Sequence, residues 1–322
     1  MNDNTITIGF TGDVMIGRGV NATISNNGYS YPWGNVLPLF KNTDINIINL
    51  EAALTNSNKK VSKTFNFKAT PDRIKTLTEA CITVTNLANN HVLDFSEEGL
   101  IETIQTLNEA DIKYAGAGMN EAAAEKPVIL TKKNNTLGVL GFTDNESGWK
   151  AGTSTSGVNY IDISNDEDCN KALMAIAKLR KKTDLVIVSI HWGPNMKESP
   201  EWYFIDFAHA MIDHGADIIH GHSAHNFQGI EVYKHKLILY DTGDFVDDYA
   251  VDPYLRNNHS FFFKVEVSKQ RIEKLVLIPV LISKYRVNLA TGEDYKWSIE
   301  RMQQLSAKFG TKISDKGEVL LF

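Results

Sequence analysis

Short apolar runs that end in acidic, amide or histidine side chains recur along the sequence, and this pattern limits the possible folds most. Short runs rich in β-branched side chains are typical of buried strands rather than of helices. The pattern predicts strands at 5–10, 45–49, 82–87, 137–142, 185–190, 218–220, 237–240, 261–267 and 275–280. It predicts helices at 96–110, 120–125, 167–181, 200–214 and 295–308. Alternating strands and helices indicate an α/β sheet with parallel pairing.

Local signals suggest where two of the helices begin. Ser96 precedes two acidic residues, so we expect its side chain to cap the first long helix. Ser199 and Pro200 are expected to cap and open a later helix, since proline is favoured in the first turn.

The end of the chain is richer in strands than its first half. The last two predicted strands are expected to form a hairpin around Lys269 and Gln270. The sequence contains no Pro-rich or Ser-rich linker that would divide it. We therefore expect one domain over residues 1–322, with 250–322 supplying the C-terminal strands and helix that complete it.

The composition is that of a globular protein and excludes some classes of partner. Of the 322 residues, 43% are hydrophobic and 22% are charged, with a formal net charge of -6. An acidic chain gains little from counterion release, so we expect no nucleic-acid partner. The sequence has no leader-like start and no run near the ~20 apolar residues of a membrane span. Its two cysteines lack a CxxC spacing. We therefore expect a cytoplasmic protein without a membrane segment.

Side chains that can bind metal follow five of the predicted strands directly. In α/β sheets, ligands bind beyond the carboxyl ends of the strands, so these side chains are expected at one edge. Mixed oxygen and imidazole donors suit manganese, iron or zinc, and calcium stays open as an alternative. The sequence therefore predicts a site for one or two divalent ions, with donors among Asp13, Glu51, Asn90, His91, His191, His222 and His225.

The last of these segments contains three histidines close together. Gly221 is expected to allow a sharp turn that directs His222 and His225 toward one centre. His220 precedes that turn, so we expect it to face away and to serve as a hydrogen-bonding residue rather than a ligand.

Five short motifs in order make the sequence similar to a known family. They are Gly12-Asp13-Val14-Met15-Ile16-Gly17-Arg18, Asn49-Leu50-Glu51, Asn86-Leu87-Ala88-Asn89-Asn90-His91, His191-Trp192-Gly193 and Gly221-His222-Ser223-Ala224-His225. Together they resemble the CapA family of poly-γ-glutamate capsule synthesis proteins, over residues 6–249. That family is in turn similar to the calcineurin-like metallophosphoesterases. The resemblance implies a four-layer α/β/β/α sandwich with mixed sheets and a two-metal site at the carboxyl ends of the strands.

The resemblance also implies roles for individual residues. His91 takes the position of the catalytic histidine. The metal ligands would be Asp13, Glu51, Asn90, His191, His222 and His225. The pattern differs at three places: Met15 replaces a histidine, Glu51 replaces a bridging aspartate, and two residues separate the last histidines. These differences favour one tightly held ion with a weaker second one.

Three functions follow as hypotheses. The first is hydrolysis, with metal-activated water, His91 as acid or base, and Asp94 orienting His91. Arg18 would bind an anionic substrate, or else is a helix-surface residue. Trp192 is expected near the substrate, and Asp244 either binds a substrate amine or belongs to a solvated acidic loop.

Of the other two hypotheses, one assumes reaction at a different bond and the other assumes no catalysis. The same site could modify a peptide or poly-γ-glutamate, by amide hydrolysis or by epimerisation at Cα. Alternatively, the chain binds or assembles poly-γ-glutamate without catalysis and holds a structural metal. Retention of His91 beside Asn90 argues mildly for an enzyme, because a structural site does not need that histidine.

Overall fold

Strands and helices alternate through residues 5–321, the part of the chain that the computed structural model describes. Residues 1–4 lie outside this part, and with them the beginning of the segment that was expected not to resemble a leader. The strands are β1 Ile6–Val14, β2 Ile45–Leu50, β3 Ala53–Leu54, β4 Lys68–Ala69, β5 Val84–Asn86, β6 Lys113–Ala115, β7 Ala117–Gly118, β8 Val128–Lys132, β9 Asn135–Thr143, β10 Gly157–Val158, β11 Leu185–His191, β12 Ile218–His222, β13 Ile230–Tyr233, β14 Lys236–Leu239, β15 Asp244–Val246, β16 His259–Ser268, β17 Arg271–Ser283 and β18 Arg286–Leu289.

Helices connect and cover these strands. The α-helices are α1 Arg18–Asn27, α2 Leu37–Lys41, α3 Ile74–Glu79, α4 Ser96–Glu109, α5 Glu121–Ala124, α6 Asp166–Arg180, α7 Trp202–Asp213 and α8 Gly292–Ala307. Short 3-10 helices span Tyr31–Val36, Pro71–Arg73 and Ser147–Trp149. None of the helices within residues 5–321 combines the length and apolar character that crossing a bilayer requires.

Two mixed sheets contain most of the strands. The first has the order β18-β17-β16-β1-β2-β5-β6, with β15 also paired to β1. In it, β1, β2, β5 and β6 are parallel, whereas β16 to β18 add through antiparallel pairs. The second sheet has the order β13-β14-β12-β11-β9-β8. Its four inner strands are parallel and its two edge strands are antiparallel.

Three apolar clusters separate four layers. Side chains on a strand alternate between its faces, and both faces of the central strands are buried. On β11, Leu185 and Ile187 lie in the cluster between the sheets, whereas Val186 and Val188 lie in the cluster under α6 and α7. A third cluster joins the first sheet to α1, α2, α3 and α4. The fold is therefore the predicted four-layer α/β/β/α sandwich of the metallophosphoesterase type.

Most of the predicted elements are present, with shifted ends. All nine predicted strands and five predicted helices overlap observed ones, and β16 and β17 form the expected hairpin. Helices α1, α2 and α3 were not predicted from the sequence. Helix α1 has no side-chain cap and no acidic residue in its first turn, and α2 and α3 are very short.

Both predicted helix starts are wrong. Ser96 is the first residue of α4, has a positive φ of 63°, and donates its hydroxyl to the Lys59 carbonyl instead of capping the helix. The later helix, α7, begins at Trp202 with Glu201 as its N-cap, so Ser199 and Pro200 precede it. The Ser199 hydroxyl accepts from Lys308 Nζ at 2.8 Å, so in both cases a contact with a distant residue occupies the serine that was expected to cap.

Candidate metal centre

Polar side chains are aligned at the carboxyl ends of neighbouring parallel strands in each of the two sheets. In the first sheet, Asp13 of β1 is aligned with Asn49 of β2 on one side and with Asp244 of β15 on the other. In the second sheet, His191 of β11 is aligned with His222 of β12. All five side chains are buried. Parallel strands that end at the same level thus bring their last polar residues together, as expected from the sequence.

The first group of candidate ligands is Asp13, His191 and His222. One ligand atom from each lies within 4.8 Å of the others. Asp13 Oδ1 is 3.8 Å from His191 Nδ1 and 3.7 Å from His222 Nδ1, and the two ring nitrogens are 2.9 Å apart. Asn90 Oδ1 lies 3.1 Å from the other nitrogen of His191. Three of the predicted ligands therefore meet here, and a fourth, Asn90, contacts the opposite edge of the His191 ring.

A chain of buried hydrogen bonds determines which nitrogen of His222 is free. His220 Nε2 is 2.8 Å from the Thr11 carbonyl, which can only accept, so this nitrogen carries the proton. Burial lowers the pKa of His220 to about 4, so its ring is neutral and Nδ1 accepts from the Ser189 hydroxyl at 3.1 Å. Ser189 Oγ then accepts from His222 Nε2 at 3.1 Å. The Nδ1 lone pair of His222 consequently faces His191.

This arrangement fits a bound cation. If His191 Nε2 donates to the Asn90 amide oxygen, its Nδ1 also presents a lone pair. Two ring lone pairs beside the Asp13 carboxylate repel one another unless a positive charge lies between them. Burial holds the pKa of both His191 and His222 well below 6.5, so both rings are neutral, which is the form that binds metal. His220 has the hydrogen-bonding role expected from the sequence.

Three buried carboxylates reinforce the case for a cation. Asp13 Oδ2, Glu51 Oε1 and Asp244 Oδ2 have no hydrogen-bond partner among residues 5–321. Burial raises the pKa of Asp13 and raises those of Glu51 and Asp244 well above their usual values. An unpaired buried carboxylate is costly, and a divalent ion would neutralise it. The donors present therefore fit a divalent metal.

The amide of Asn49 connects two of these carboxylates. Its Nδ2 donates to Asp13 Oδ1 at 2.7 Å and to Glu51 Oε2 at 3.1 Å. Its oxygen accepts from the amides of Asn86 and Asn89 at 3.1 and 3.0 Å, which fixes the orientation of the group. No role for the Asn49 side chain was predicted from the sequence. The signal that could have found it is an asparagine within a strand of isoleucine and leucine, directly before the Glu51 motif.

A second group of candidate ligands shares Asp13 and adds His225 and Asp244. The loop that carries His225 leaves β12 through unusual backbone, with φ of 120° at Ser223 and 61° at His225. Non-glycine residues rarely adopt such angles, and they cluster at functional sites. The neighbouring carboxylate of Asp241 accepts from the Ala224 amide at 2.7 Å and holds this loop.

Gly221 has a different role from the one expected. It lies within β12 and is not at the turn, where Ser223 and His225 have the positive φ angles instead. A Cβ at Gly221 would lie 2.0 Å from the Tyr240 carbonyl oxygen. The glycine therefore permits close approach of two backbones rather than a sharp turn.

His91 lies between the candidate ligands and solvent. Its Nε2 is 3.9 Å from Glu51 Oε1, and its Nδ1 is hydrogen-bonded to Asp94 Oδ2 at 2.6 Å. The Phe67 ring stacks on the imidazole at a centroid distance of 3.9 Å. Burial lowers the pKa of His91, and the hydrogen bond to Asp94 opposes this shift. The Asp94 contact leaves Nε2 as the nitrogen available for proton transfer.

A cavity of about 890 Å³ opens above this histidine, and its lining includes Asn90, His91, His225 and Tyr249. Two cations also line it. Arg18 is ion-paired with Asp248 and lies over the Phe67 ring at 4.6 Å. Lys63, which the sequence analysis did not single out, has Nζ 3.2 Å from Asp94 Oδ1. The predicted Arg18 therefore faces the cavity from the start of α1.

Two residues predicted to bind substrate lie elsewhere. Trp192 is 4% exposed, packs against Phe204 in the outer core, and donates Nε1 to the Tyr240 carbonyl at 2.8 Å. Asp244 is fully buried in β15 beside Asp13, so it does not belong to a solvated loop. The structure brings Asp244 to the candidate ligands and places Trp192 in the core.

The arrangement of layers has a counterpart among solved structures. A hypothetical protein from Thermus thermophilus aligns with a TM-score of 0.50 over 85% of this chain and 98% of its own. The sequence identity is 15%, so the likeness concerns the fold alone. Together with the observed layers, this likeness supports the four-layer α/β/β/α sandwich, which carries a candidate metal centre at its strand ends.

Sequence comparison identifies the family. The model of the family described as "Bacterial capsule synthesis protein PGA_cap" matches residues 7–249. The chain belongs to this family, which confirms the resemblance to CapA proteins seen in the motifs. "Capsule biosynthesis protein CapA" of Bacillus anthracis is 35% identical over 249 residues, covering 76% of this chain and 60% of that protein. "PGA biosynthesis protein CapA" of Bacillus subtilis is 30% identical, covering 87% and 72%.

A more distant relative matches over almost the whole length. A "Probable polyglutamine synthesis accessory protein" of Mycobacterium tuberculosis is 28% identical over 368 residues. The match covers 99% of this chain and 96% of that protein. The C-terminal part beyond residue 249 thus also has a counterpart in a relative.

Proposed function

We propose that this protein is a metal-dependent hydrolase of an anionic substrate, with His91 as its proton-transfer residue. The observation that supports this most strongly is the position of His91. Its free nitrogen faces a buried carboxylate of the ligand group, and its other nitrogen is held by Asp94. A metal site with a purely structural role does not require an oriented imidazole at its open side.

The proposed ligands of the metal centre are Asp13, Glu51, Asn90, His191, His222 and His225. A divalent ion held there would polarise the scissile group and lower the pKa of water. His91, neutral in the resting protein because burial lowers its pKa, would take a proton from the attacking water through Nε2. It would then return that proton to the leaving group. Asp94 would stabilise the charged imidazolium between these two steps.

An anionic substrate would bind by displacing carboxylates that pair the two cations of the cavity, Asp248 on Arg18 and Glu146 on Lys63. Arg18 and Lys63 line the cavity that opens above His91. The guanidinium of Arg18 can form a bidentate contact with a carboxylate or a phosphate. Relatives named for capsule biosynthesis and for polyglutamine synthesis make poly-γ-glutamate the first polymer to test.

A second candidate function is modification of a peptide or of poly-γ-glutamate at the same site. The volume of about 890 Å³ is near the upper end for small-molecule sites and offers room for several residues of a polymer. His91 would then assist amide hydrolysis, or remove a Cα proton in an epimerisation. A non-catalytic role in polymer binding is the remaining alternative.

The test uses the full chain loaded in turn with manganese, iron or zinc. Phosphomonoester, phosphodiester and poly-γ-glutamate substrates are incubated with the wild type and with His91→Ala. Turnover that depends on metal and falls at least about 100-fold in the variant is expected. If no substrate is turned over faster by the wild type than by His91→Ala, the hydrolase proposal is wrong.

Isotope labelling of the products distinguishes the candidate functions from one another. Hydrolysis in heavy-oxygen water places the label in one product, whereas epimerisation in deuterium oxide places deuterium at Cα without cleavage. Unchanged polymer that binds equally well to wild type and His91→Ala would instead indicate the non-catalytic role. In that case, removal of the metal would mainly lower the melting temperature.

A further inference from the structure

We propose that a second cavity, separate from the metal centre, binds an anionic amphiphile, namely a single acyl chain with a carboxylate or phosphate head. The cavity measures about 720 Å³ and lies between α5 and α6, over β9. This volume is within the range that is usual for small-molecule sites. Among residues 5–321, none lines both this cavity and the one above His91, so the site would be independent of the proposed hydrolase.

Apolar side chains form the floor of the second cavity. Leu140 and Phe142 line it from β9, and Leu179 lines it from α6. All three belong to the apolar cluster under α6 and α7. Met174 also lines the cavity and is 72% exposed, so a large apolar side chain is in contact with water at its edge. A hydrocarbon chain bound there would remove this apolar surface from water, which is favourable.

The lining of the second cavity is also strongly cationic, although the whole chain has a formal net charge of -6. Besides two acidic residues, it contains six lysines, which are Lys126, Lys150, Lys171, Lys178, Lys181 and Lys182. Both acidic residues are already paired with lysines, Asp168 with Lys150 and Glu125 with Lys171. The other four lysines are exposed and form no ion pair within the part of the chain that the structure describes.

These four unpaired lysines come from two separate segments. Lys178 lies in the last turn of α6, and Lys181 and Lys182 follow it, where the helix dipole favours cations. Lys126 belongs to the segment after α5, yet it lines the same cavity. The dipole of α6 therefore accounts for three of the lysines but not for the approach of the fourth. Like charges that are brought together repel one another, and a bound anion would relieve this repulsion.

The apolar floor and the cationic lining together indicate the class of ligand. A fully charged polymer such as poly-γ-glutamate would pair with the lysines but would leave the apolar floor without a partner. An uncharged hydrocarbon would cover the floor but leave the lysines unpaired. An acyl chain with an anionic head uses both, because its tail packs on the apolar side chains and its head lies among the ammonium groups. Lysine binds carboxylate and phosphate as a point charge, so either head fits.

The experiment titrates the full chain with laurate, dodecyl phosphate, octanoate and uncharged 1-octanol, each below the concentration at which it forms micelles. Calorimetry measures the dissociation constants. Phosphatidylglycerol vesicles and poly-γ-glutamate are titrated in parallel, to distinguish a single amphiphile from a membrane surface and from a charged polymer. The variant Lys178→Gln/Lys182→Gln removes two unpaired charges. Lys312→Gln/Lys316→Gln is the matched control, because these lysines are also exposed and lie outside the lining.

Wild type is expected to bind one laurate or one dodecyl phosphate per chain, and to bind octanoate more weakly because its tail is shorter. Octanol should bind at least about 10-fold more weakly than octanoate, which has the same chain length. Lys178→Gln/Lys182→Gln should weaken laurate binding at least about 10-fold, and the control variant less than about twofold.

Three results would overturn this inference. The first is that laurate does not bind, and the second is that both double variants weaken it equally. The third is that only vesicles or only poly-γ-glutamate bind in a way that depends on Lys178 and Lys182, which would assign these lysines to a membrane surface or to a polymer instead. None of these results bears on the hydrolase proposal, whose test uses His91→Ala.

Discussion

His91 Nδ1 and Asp94 Oδ2 are 2.6 Å apart in a buried hydrogen bond at the base of the cavity. The same carboxylate oxygen also accepts from the Phe67 amide at 2.6 Å, so the backbone holds Asp94 in place. Phe67 in turn stacks on His91. The imidazole is thus fixed in position and in tautomer, which is what proton transfer through Nε2 requires.

The first prediction concerns this pair. Asp94→Asn should lower kcat about 100-fold or more, because an asparagine that donates toward Nδ1 favours the wrong tautomer of His91. KM should change much less, since Asp94 is fully buried. Initial rates over a pH series check this. Equal effects on kcat of Asp94→Asn and of the exposed Asp111→Asn would show that Asp94 does not position His91.

The second prediction concerns Ser189, which links His220 to His222. Ser189→Ala removes the acceptor for His222 Nε2, so Nδ1 is no longer held as a lone-pair donor. We expect metal affinity to fall about 10- to 100-fold, as for other partners that orient ligands. Competition with a chelator measures the dissociation constant.

Ser306→Ala is the matched control for this variant. Ser306 is also fully buried, and its hydroxyl accepts from the Ile230 amide at 3.0 Å, in contact with neither group of candidate ligands. Both variants should lose about 1–3 kcal/mol of unfolding free energy. Only Ser189→Ala should weaken metal binding. Unchanged affinity in both would contradict the tautomer argument.

The third prediction concerns the pH dependence of the metal-free protein. Burial raises the pKa of Asp241 to about 8 and that of Asp247 to about 7, from 3.8, and also raises those of Asp13, Glu51 and Asp244. The folded state then holds protons that the unfolded chain releases. Stability from these groups is present at low pH and is lost as pH rises through the folded pKa.

The buried histidines have the opposite effect on how stability changes with pH, but only at lower pH. The pKa values of His191 and His222 are lowered well below 6.5, so their contribution to stability increases with pH and is complete above about 6.5. Between about pH 6.5 and 8, the metal-free melting temperature should therefore fall. With metal present it should rise, because ligation favours deprotonated carboxylates. Calorimetry over this pH range measures the melting temperature with and without metal. If the two melting temperatures change with pH in the same way, the proposed link between carboxylate protonation and metal binding is wrong.

The fourth prediction concerns Gly12, where β1 approaches the backbone before Asp244. A Cβ at Gly12 would lie 1.7 Å from the Gly243 carbonyl oxygen, so the two segments would have to separate. Gly12→Ala should cost about 1–3 kcal/mol or more and weaken metal binding. Gly148→Ala is the control, because its Cβ would meet no atom within 4 Å. Equal melting temperatures for both variants would contradict the close approach.

The fold was largely predictable because it depends on patterns that are local in the chain. Apolar runs with strand periodicity predicted every central strand. The four-layer sandwich was implied by the resemblance to a known family that the motifs carry. Helix α1 was missed because Gly17 provides no side-chain cap, and the packing of Val20 and Ile24 against the first sheet stabilises it instead. Capping at Ser96 failed because the Lys59 carbonyl lies within reach of its hydroxyl.

The candidate site was predictable only as a set of donors. The order of motifs indicated which strand ends carry Asp13, His191 and His222, and parallel strands bring such ends together whatever the details of packing. The sequence could not indicate that Trp192 turns into the outer core. Nor could it reveal that Lys63, from a loop between short strands, reaches Asp94.

By itself, the sequence determined the alternating strands and helices and the sheet edge at which the candidate metal ligands gather, because strand periodicity and strand ends are local features of a sequence. The four-layer sandwich followed from the resemblance to a known family. The tertiary structure alone decided how those side chains divide into groups. Asp244 lies beside Asp13 because β15 pairs with β1 in that register, and Ser189 lies between two histidines because β11 pairs with β12. Such pairings join distant parts of the chain and depend on the packing of the whole sheet, which no local pattern encodes.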